Sequence, residues 1–588
     1  MAASTLPEHL RALVTLAPGP SRIRPATKAA LTVLLCLGVP TALGRLDLGL
    51  LCVTGTFAVL YAPEAALRRR LATVGTIGLA LVGSTALGAF TAASPPLFAA
   101  AAVLLAMVTA GLCLALRVGP PGSYFLVLCA GIANYLAGHH GTAPGTIVGM
   151  TAVGAAVALA VTLAELLADP RRPERRAVDA AARAVADYAR STPGPEGRPL
   201  HRAAAQALAA ADEAVAEGMW RTDPAIAARL ARAHQDYDRR ARRATDHLVP
   251  GVDPAWDPRN PDAGRWIDDD EAGSDVEVAT AGEARRAGEA LAVDERRIIR
   301  SWRRRLTDGL RRPGEPWSVA LSVGVATTAS ILVLTAVAGA GQTHLYWVIA
   351  FSALVLHQGG PRVARTYRAV HRLVGTLAGL GIFLLLALLQ PSGWWIVAVV
   401  VVFQFAIELL VARNYGLAVT LITPLALLVS TGGRLEGEPW GLIGERLLDT
   451  VVGVAVALVV VWAVGRRAPH RAVRGDTRRV LRELAELEEG RRQSLTEPTL
   501  ASALRDLHST ATLLAADGHR DSPEARTAEA VVHAGFLVLG AADPLAVAAS
   551  PGGWRNLATA PLPAGWRPVP DDHPVDVAVR EACAAVTA

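Results

Sequence analysis

Residues 372–412 read RLVGTLAGLGIFLLLALLQPSGWWIVAVVVVFQFAIELLVA. Two apolar runs, 372–390 and 394–412, are joined by Pro391-Ser392-Gly393. Each run is about the 20 residues that a helix needs to cross about 30 Å of hydrocarbon. Each carries a single charge, Arg372 in the first and Glu408 in the second. The stretch therefore reads as a transmembrane hairpin, and an all-α membrane protein is the fold class it sets.

Working outward, the same criterion gives six spans in the surrounding block, roughly 317–338, 345–358, 372–390, 394–412, 414–430 and 446–465. An earlier block gives six more, roughly 26–44, 47–62, 71–92, 96–116, 122–138 and 146–168. The first of these follows Arg22, Arg24 and Lys28. Further spans follow it and no small-residue cleavage site ends it, so it reads as an anchor rather than a signal peptide.

Charge divides the chain the same way. Of 110 Asp, Glu, Lys and Arg residues in 588, 53 fall in 171–315 and 31 in 466–588, leaving 26 for the two apolar blocks. Hydrophobic residues make up 52% of the chain, charged residues 19%, and the mean hydropathy is +0.34. These values exclude a purely soluble, disordered or fibrous protein.

The lone lysine, Lys28, follows no glycine-rich turn, so no P-loop is present and the chain is not an ATP-driven pump by itself. The pI near 9.3 comes from arginine, with no basic run interleaved with stacking aromatics, which argues against a nucleic-acid partner. Four of the five cysteines lie in apolar segments and none forms a Cys-x-x-Cys pair. No metal site, cofactor fingerprint or nucleophile elbow is readable, so the expectation is no enzyme, no cofactor and no metal.

The blocks look like a duplication. Val74-Gly75-Thr76 and Val374-Gly375-Thr376 are 300 residues apart, each shortly after an arginine. Val153-Gly154-Ala155-Ala156-Val157-Ala158-Leu159 matches Val452-Gly453-Val454-Ala455-Val456-Ala457-Leu458 at an offset of 299. Six spans per unit is an even number, so the repeats would be parallel, a setting in which transporters often place substrate between repeats near the midplane. Arginine placement orients them: Arg68, Arg69, Arg70 and Arg117 in one half, and Arg362, Arg365, Arg368, Arg372 and Arg413 in the other, mark the cytoplasmic side. Both termini and the central linker share that side.

The expected organisation is a cytoplasmic N-terminus (1–25), a first six-helix membrane domain (26–170), a helical cytoplasmic domain (171–315), a second six-helix membrane domain (316–465) and a C-terminal helical cytoplasmic domain (466–588). Helical patterning falls at 174–188, 200–219, 224–247 and 280–310, with a mobile Pro/Asp-rich loop over 250–275. In the C-terminal domain it falls at 473–490, 498–516 and 523–548. Such bundles pack under the spans or against a second protomer, as in a homo-oligomer.

Tyr346-Trp347-Val348-Ile349-Ala350, Arg372-Leu373-Val374-Gly375-Thr376, Arg413-Asn414-Tyr415 and Ile422-Thr423-Pro424 together resemble the FUSC family, the group around fusaric-acid-resistance proteins and aromatic-acid exporters. Plant aluminium-activated malate channels are more distant relatives. The clear match covers roughly 316–465; in the first half Gly122-Ser123-Tyr124 stands where Arg-Asn-Tyr would be. The resemblance implies two six-helix membrane halves and export of small, often aromatic, organic acids, with the lipid bilayer and a small organic anion as partners. An anion channel and a non-transporting envelope scaffold are the alternatives.

Arg372, Arg413, Asn414, Tyr415, Thr423 and Pro424 are the substrate-path candidates, Pro424 as a break in its span. Arg362, Arg365 and Arg368 are cations for the cytoplasmic mouth, where they would gather anions or simply fix topology. Glu408 and His357 are the proton-coupling candidates, with Glu408 alternatively pairing with Arg413. Asp449, three residues after Arg446, reads as that arginine's structural partner.

Overall fold

In hydrocarbon every backbone N–H and C=O needs a partner within the chain, so apolar runs must become helices or a closed barrel. A computed structural model describes residues 15–16, 22–191, 197–219, 223–245, 306, 315–339, 345–358, 360–431, 433, 439–463, 468–488, 498–520 and 522–540. Among these residues every regular element is helical. The chain divides into two units, one of residues 1–169 and 302–466, the other of 170–301 and 467–588.

The first unit holds α1 (Ile23–Ala42), α2 (Leu46–Thr56, prolonged by a 3-10 turn Phe57–Leu60), α3 (Leu67–Phe90), α4 (Pro95–Ala115), α5 (Tyr124–Gly138) and α6 (Pro144–Ala168). The second unit contributes the next three helices in chain order, α7 (Arg172–Ala189), α8 (Gly197–Ala216) and α9 (Pro224–Thr245). The first unit resumes with α10 (Glu315–Ala338), α11 (Leu345–Leu356), α12 (Arg362–Leu389), α13 (Trp394–Leu410), α14 (Tyr415–Ser430) and α15 (Pro439–Ala463). Among the described residues seven helices, α1, α3, α4, α6, α10, α12 and α15, are long and apolar enough to cross a membrane; α2, α5, α11, α13 and α14 are shorter and equally apolar.

Burial sorts these helices. The seven long ones bury half or less of their apolar window and leave side chains such as Leu79, Leu104, Leu332 and Leu388 on the outside. In contrast α11 buries every residue from Tyr346 to Leu356. A helix that is apolar all round and buried all round belongs to a core.

The packing pairs recur in the two blocks. The third helix meets the fifth and sixth in each (α3 with α5 and α6; α12 with α14 and α15), and the second meets the sixth (α2 with α6; α11 with α15). The first helix of each block packs on the fourth of the other, α1 on α13 and α10 on α4.

Two helices start earlier than the hydropathy reading, α12 and α15 (Pro439 against the expected 446), and an expected break is absent. Helix α12 begins at Arg362, ten residues before the expected start, because arginine is a good helix former even where it ends an apolar run. Helix α14 runs through Pro424 without a break. The carbonyl that loses its partner to the proline is that of Thr420, and Gly379 of α12 lies against it and against Pro424. Tertiary contact there holds a helix that the proline alone would open.

The second unit adds α16 (Ala468–Glu488), α17 (Pro498–Leu514) and α18 (Pro523–Gly540). Helices α7–α9 close on Val178, Val185, Leu208, Val215, Ile226 and Leu230. Helices α16–α18 bury Val473, Val480, Leu504, Leu507 and Val531. The expected loop 250–275 and the last part of the expected helix 523–548 lie outside the described residues, and 280–310 does so except for residue 306.

Two glutamates, Glu174 buried and Glu524 partly buried, give the bundles opposite responses to acid. Burial pushes the Glu174 carboxyl up, against the Met219 N–H that donates to it at 2.9 Å. Burial would also raise Glu524, but hydrogen bonds from Arg474 and its own backbone, with His470 nearby, hold it below the usual range. The contribution of Glu174 is full below the unfolded value, about 4.3, and is lost as pH rises through its raised folded value; that of Glu524 is present above about 4.3 and is lost as pH falls through its depressed one. Hydrogen exchange on the full chain should therefore show α7–α9 gaining protection between pH 7 and about 4.5, and α16–α18 losing it below about 4.

Candidate functional site

Three helices of the second block deliver a cluster of charge and aromatic surface to the buried middle of the first unit. Arg372 stands on the third turn of α12, and Arg446 and Asp449 stand one turn apart on α15. Tyr346, Trp347 and Phe351 come from α11.

The Arg446 guanidinium carbon lies 3.3 Å from the Trp347 ring centroid and 4.4 Å from that of Phe351. Arg372 is also 4.4 Å from Phe351, on whose ring both arginines converge, and 6.0 Å from Tyr124 of α5. Tyr415, at the start of α14, sits beside Arg372. Tyr124 and Tyr415 occupy matching places in the two blocks, one in Gly-Ser-Tyr and the other in Arg-Asn-Tyr.

Both arginines are only 1% exposed, and among the described residues none of their six guanidinium nitrogens has a hydrogen-bond partner. Asp449, 2% exposed, also has a bare oxygen, Oδ2. The i, i+3 pair expected between Arg446 and Asp449 is not formed, because the guanidinium lies flat on Trp347 instead.

A cation–π contact offsets about 2 kcal/mol when desolvated. A guanidinium has five N–H donors, and each buried donor left unmade costs about 1–3 kcal/mol. Two such groups close enough to act on each other's charge form a site suited to an anion. The surrounding rings extend along α11: Trp347 stacks on Phe351 at 5.7 Å, Tyr346 meets Trp347 at 4.7 Å, and Tyr135 of α5 lies 6.3 Å from Tyr346.

The other residues named from sequence lie elsewhere. Glu408, buried near the end of α13, pairs with Arg22 at 3.0 Å rather than with Arg413, and Arg22 also donates to its backbone carbonyl. A second charged group joins α1, α3 and α6, where Glu165 takes Arg70 and, at 3.5 Å, Lys28. Arg413 sits in the turn after α13 with its Nε unpartnered. Asn414 caps α14, accepting from Leu417 N–H and donating to the Thr15 carbonyl, both at 3.1 Å. Thr423 is fully buried on the α12 side of α14 with a free hydroxyl, and Pro424 is next to it.

His357 spans the end of α11 and the 120–122 turn, its two ring nitrogens 2.9 Å from the carbonyls of Leu354 and Pro121. Arg365 and Arg368 donate to the carbonyls of Gly360 and Val355, satisfying chain left open where α11 ends. Arg362 lies over Trp462. The structure thus brings Arg372 and Tyr415 together, and adds Arg446, Asp449, Trp347, Phe351 and Tyr124.

The Arg22–Glu408 pair is partly exposed at its arginine end, so its coupling should be modest. A double-mutant cycle of Arg22→Gln and Glu408→Gln on thermal unfolding should give a coupling of about 1 kcal/mol.

Comparison with known proteins bears on the same segment. Residues 322–460 match the fusaric acid resistance protein-like family. The matched segment holds every residue of the cluster except Tyr124 and Tyr135. A stretch of 142 residues, 24% of this chain, is 28% identical to the uncharacterized membrane protein YvaC of Bacillus subtilis (strain 168), of whose length it covers 22%. No solved structure matches the chain. With its apolar helices, the family-matched segment makes the chain a multi-pass membrane protein in contact with the lipid bilayer.

Proposed function

We propose that this protein carries small organic anions, aromatic carboxylates above all, outward across the cytoplasmic membrane, and that Arg372 and Arg446 bind the carboxylate. The single observation that supports this is the pair of buried guanidinium groups with no hydrogen-bonded counter-ion among the described residues. Arginine grips a carboxylate through paired N–H donors, and the aromatic rings around the two guanidinium groups suit the ring of an aromatic acid.

In this reading the chain has twelve spans in two parallel six-helix repeats, and the recurring helix pairs support that. Trp394, Trp395 and Trp440, exposed at the starts of α13 and α15, fit one aromatic belt, which an even-numbered tenth and twelfth span would both meet on the outer side. The arginine-rich ends, both termini and the helical domains 171–315 and 466–588 then face the cytoplasm. Arg446 lies about 10 Å into α15 at 1.5 Å per residue, which puts the cluster towards the middle of the bilayer.

The test is uptake of radiolabelled 4-hydroxybenzoate into proteoliposomes, corrected with protein-free vesicles, under an imposed pH gradient and separately under an imposed voltage. Gradient-driven flux supports a carrier. Flux that follows voltage alone makes the protein an anion channel. No flux across a panel of acids, from protein shown to be folded, returns it to an envelope scaffold.

A further inference from the structure

We propose that Asp449 is the coupling group of this site: it takes up a proton when the anion binds Arg446 and Arg372, so that proton and anion cross together. The inference rests on the anion-site reading above. Three observations carry it. Asp449 is buried, and its Oδ2 has no hydrogen-bond partner. It lies one helical turn from Arg446 without closing an ion pair on it. The other acid in the family-matched helices that sequence offers for this role, Glu408, is already matched by Arg22 at 3.0 Å.

The charged and titratable groups around Asp449 are few. Arg446 and Glu445 share its helix, and Tyr346 faces it from α11. Arg372 and Tyr124 reach it through Arg446. With no substrate bound, the Asp449 carboxylate acts on Arg446, which in turn neighbours Arg372. A substrate carboxylate entering beside it brings a second anion into a buried region where charges are weakly screened. One of the two must lose its charge or be held apart, and the substrate is the one gripped by both arginines. Protonation of Asp449 relieves the repulsion and gives Arg446 wholly to the substrate.

Linkage makes the effect reciprocal: if binding takes up a proton, acid strengthens binding. Each bound monoanion then moves with one proton, and the cycle is electroneutral. Flux follows the combined gradient of proton and anion and ignores voltage. Outward transport occurs where the acid accumulates in the cytosol.

The experiment is calorimetric titration of 4-hydroxybenzoate into the purified full-length protein at pH 7, in phosphate and in Tris, whose ionisation heats differ. The expected result is uptake of about one proton per anion, and an affinity that falls up to about tenfold per pH unit once Asp449 ionises in the empty site. Asp449→Asn should bind with no buffer dependence and a flat pH profile, and Asp449→Glu should restore both. Binding by the wild type with no proton change, with proton release, or with uptake that persists in Asp449→Asn overturns the coupling while leaving the anion site standing. Absence of any binding to the folded wild type overturns the anion site itself and the coupling with it. The proton count on the wild type decides the matter even if Asp449→Asn does not fold.

Discussion

Arg446→Gln and Arg372→Gln should each abolish anion transport while leaving the protein as stable as the wild type or more stable. A structural arginine behaves in the opposite way: its removal strands a partner and lowers stability. Here little is stranded: among the described residues no guanidinium nitrogen of either arginine closes a hydrogen bond, and the Asp449 carboxylate, which loses a neighbouring charge in Arg446→Gln, can take up a proton. A buried charge without a counter-ion is a cost to folding, and replacing it with a neutral group of similar length removes that cost. What is lost is the hold on the ligand. Truncating one side of a buried charged hydrogen-bonded pair costs about 2–5 kcal/mol, a factor of about 30 to several thousand in affinity. Thermal unfolding of detergent-purified variants, measured beside hydroxybenzoate flux, reads both sides of the prediction. A drop in melting temperature with flux intact would assign these arginines to the fold.

The second large effect is expected at Gly154. A Cβ there would run into the Cys52 carbonyl oxygen and the backbone at Gly55, so at this point α2 and α6 meet backbone to backbone. Backbone cannot move aside as a side-chain tip can, and overpacking against it exceeds the usual 1–3 kcal/mol or so for a tight core. Gly154→Val should therefore cost about 4 kcal/mol or more and show as loss of monodisperse, folded protein. Gly453 holds the matching place between α15 and α11, where a Cβ meets the Phe351 Cβ at 3.0 Å and the Val348 carbonyl at 3.1 Å. These contacts can give by a few tenths of an ångström. Gly453→Ala should cost about 1–2 kcal/mol, yet weaken anion binding, because the side chain it displaces is the ring on which both arginines converge.

The sequence was legible where the signal is local. Apolar length located the helices, and the Val-Gly-Ala matches pointed to Gly154 and Gly453 before their packing was visible. The helix register inside 362–371 was hidden because hydropathy drops at each arginine while the helix continues. The site was harder to read, for a physical reason. Glu408 finds its partner 386 residues away in sequence, at Arg22, which no spacing rule reaches. Arg446 and Asp449 have ion-pair spacing, and only the position of Trp347 shows that the guanidinium stacks instead. The alignment of Tyr124 with Tyr415 was legible in sequence, but only the structure shows that both lie beside Arg372.

The most direct test of the central claim is a crystal of the protein soaked with 4-bromobenzoate, with data collected at the bromine edge. The account predicts an anomalous peak among the rings of Trp347, Phe351 and Tyr346, with the carboxylate between the guanidinium groups of Arg372 and Arg446. A bromine peak only at the lipid-facing surface, or a cluster closed by Asp449 folding onto Arg446 with no ligand between them, would contradict it.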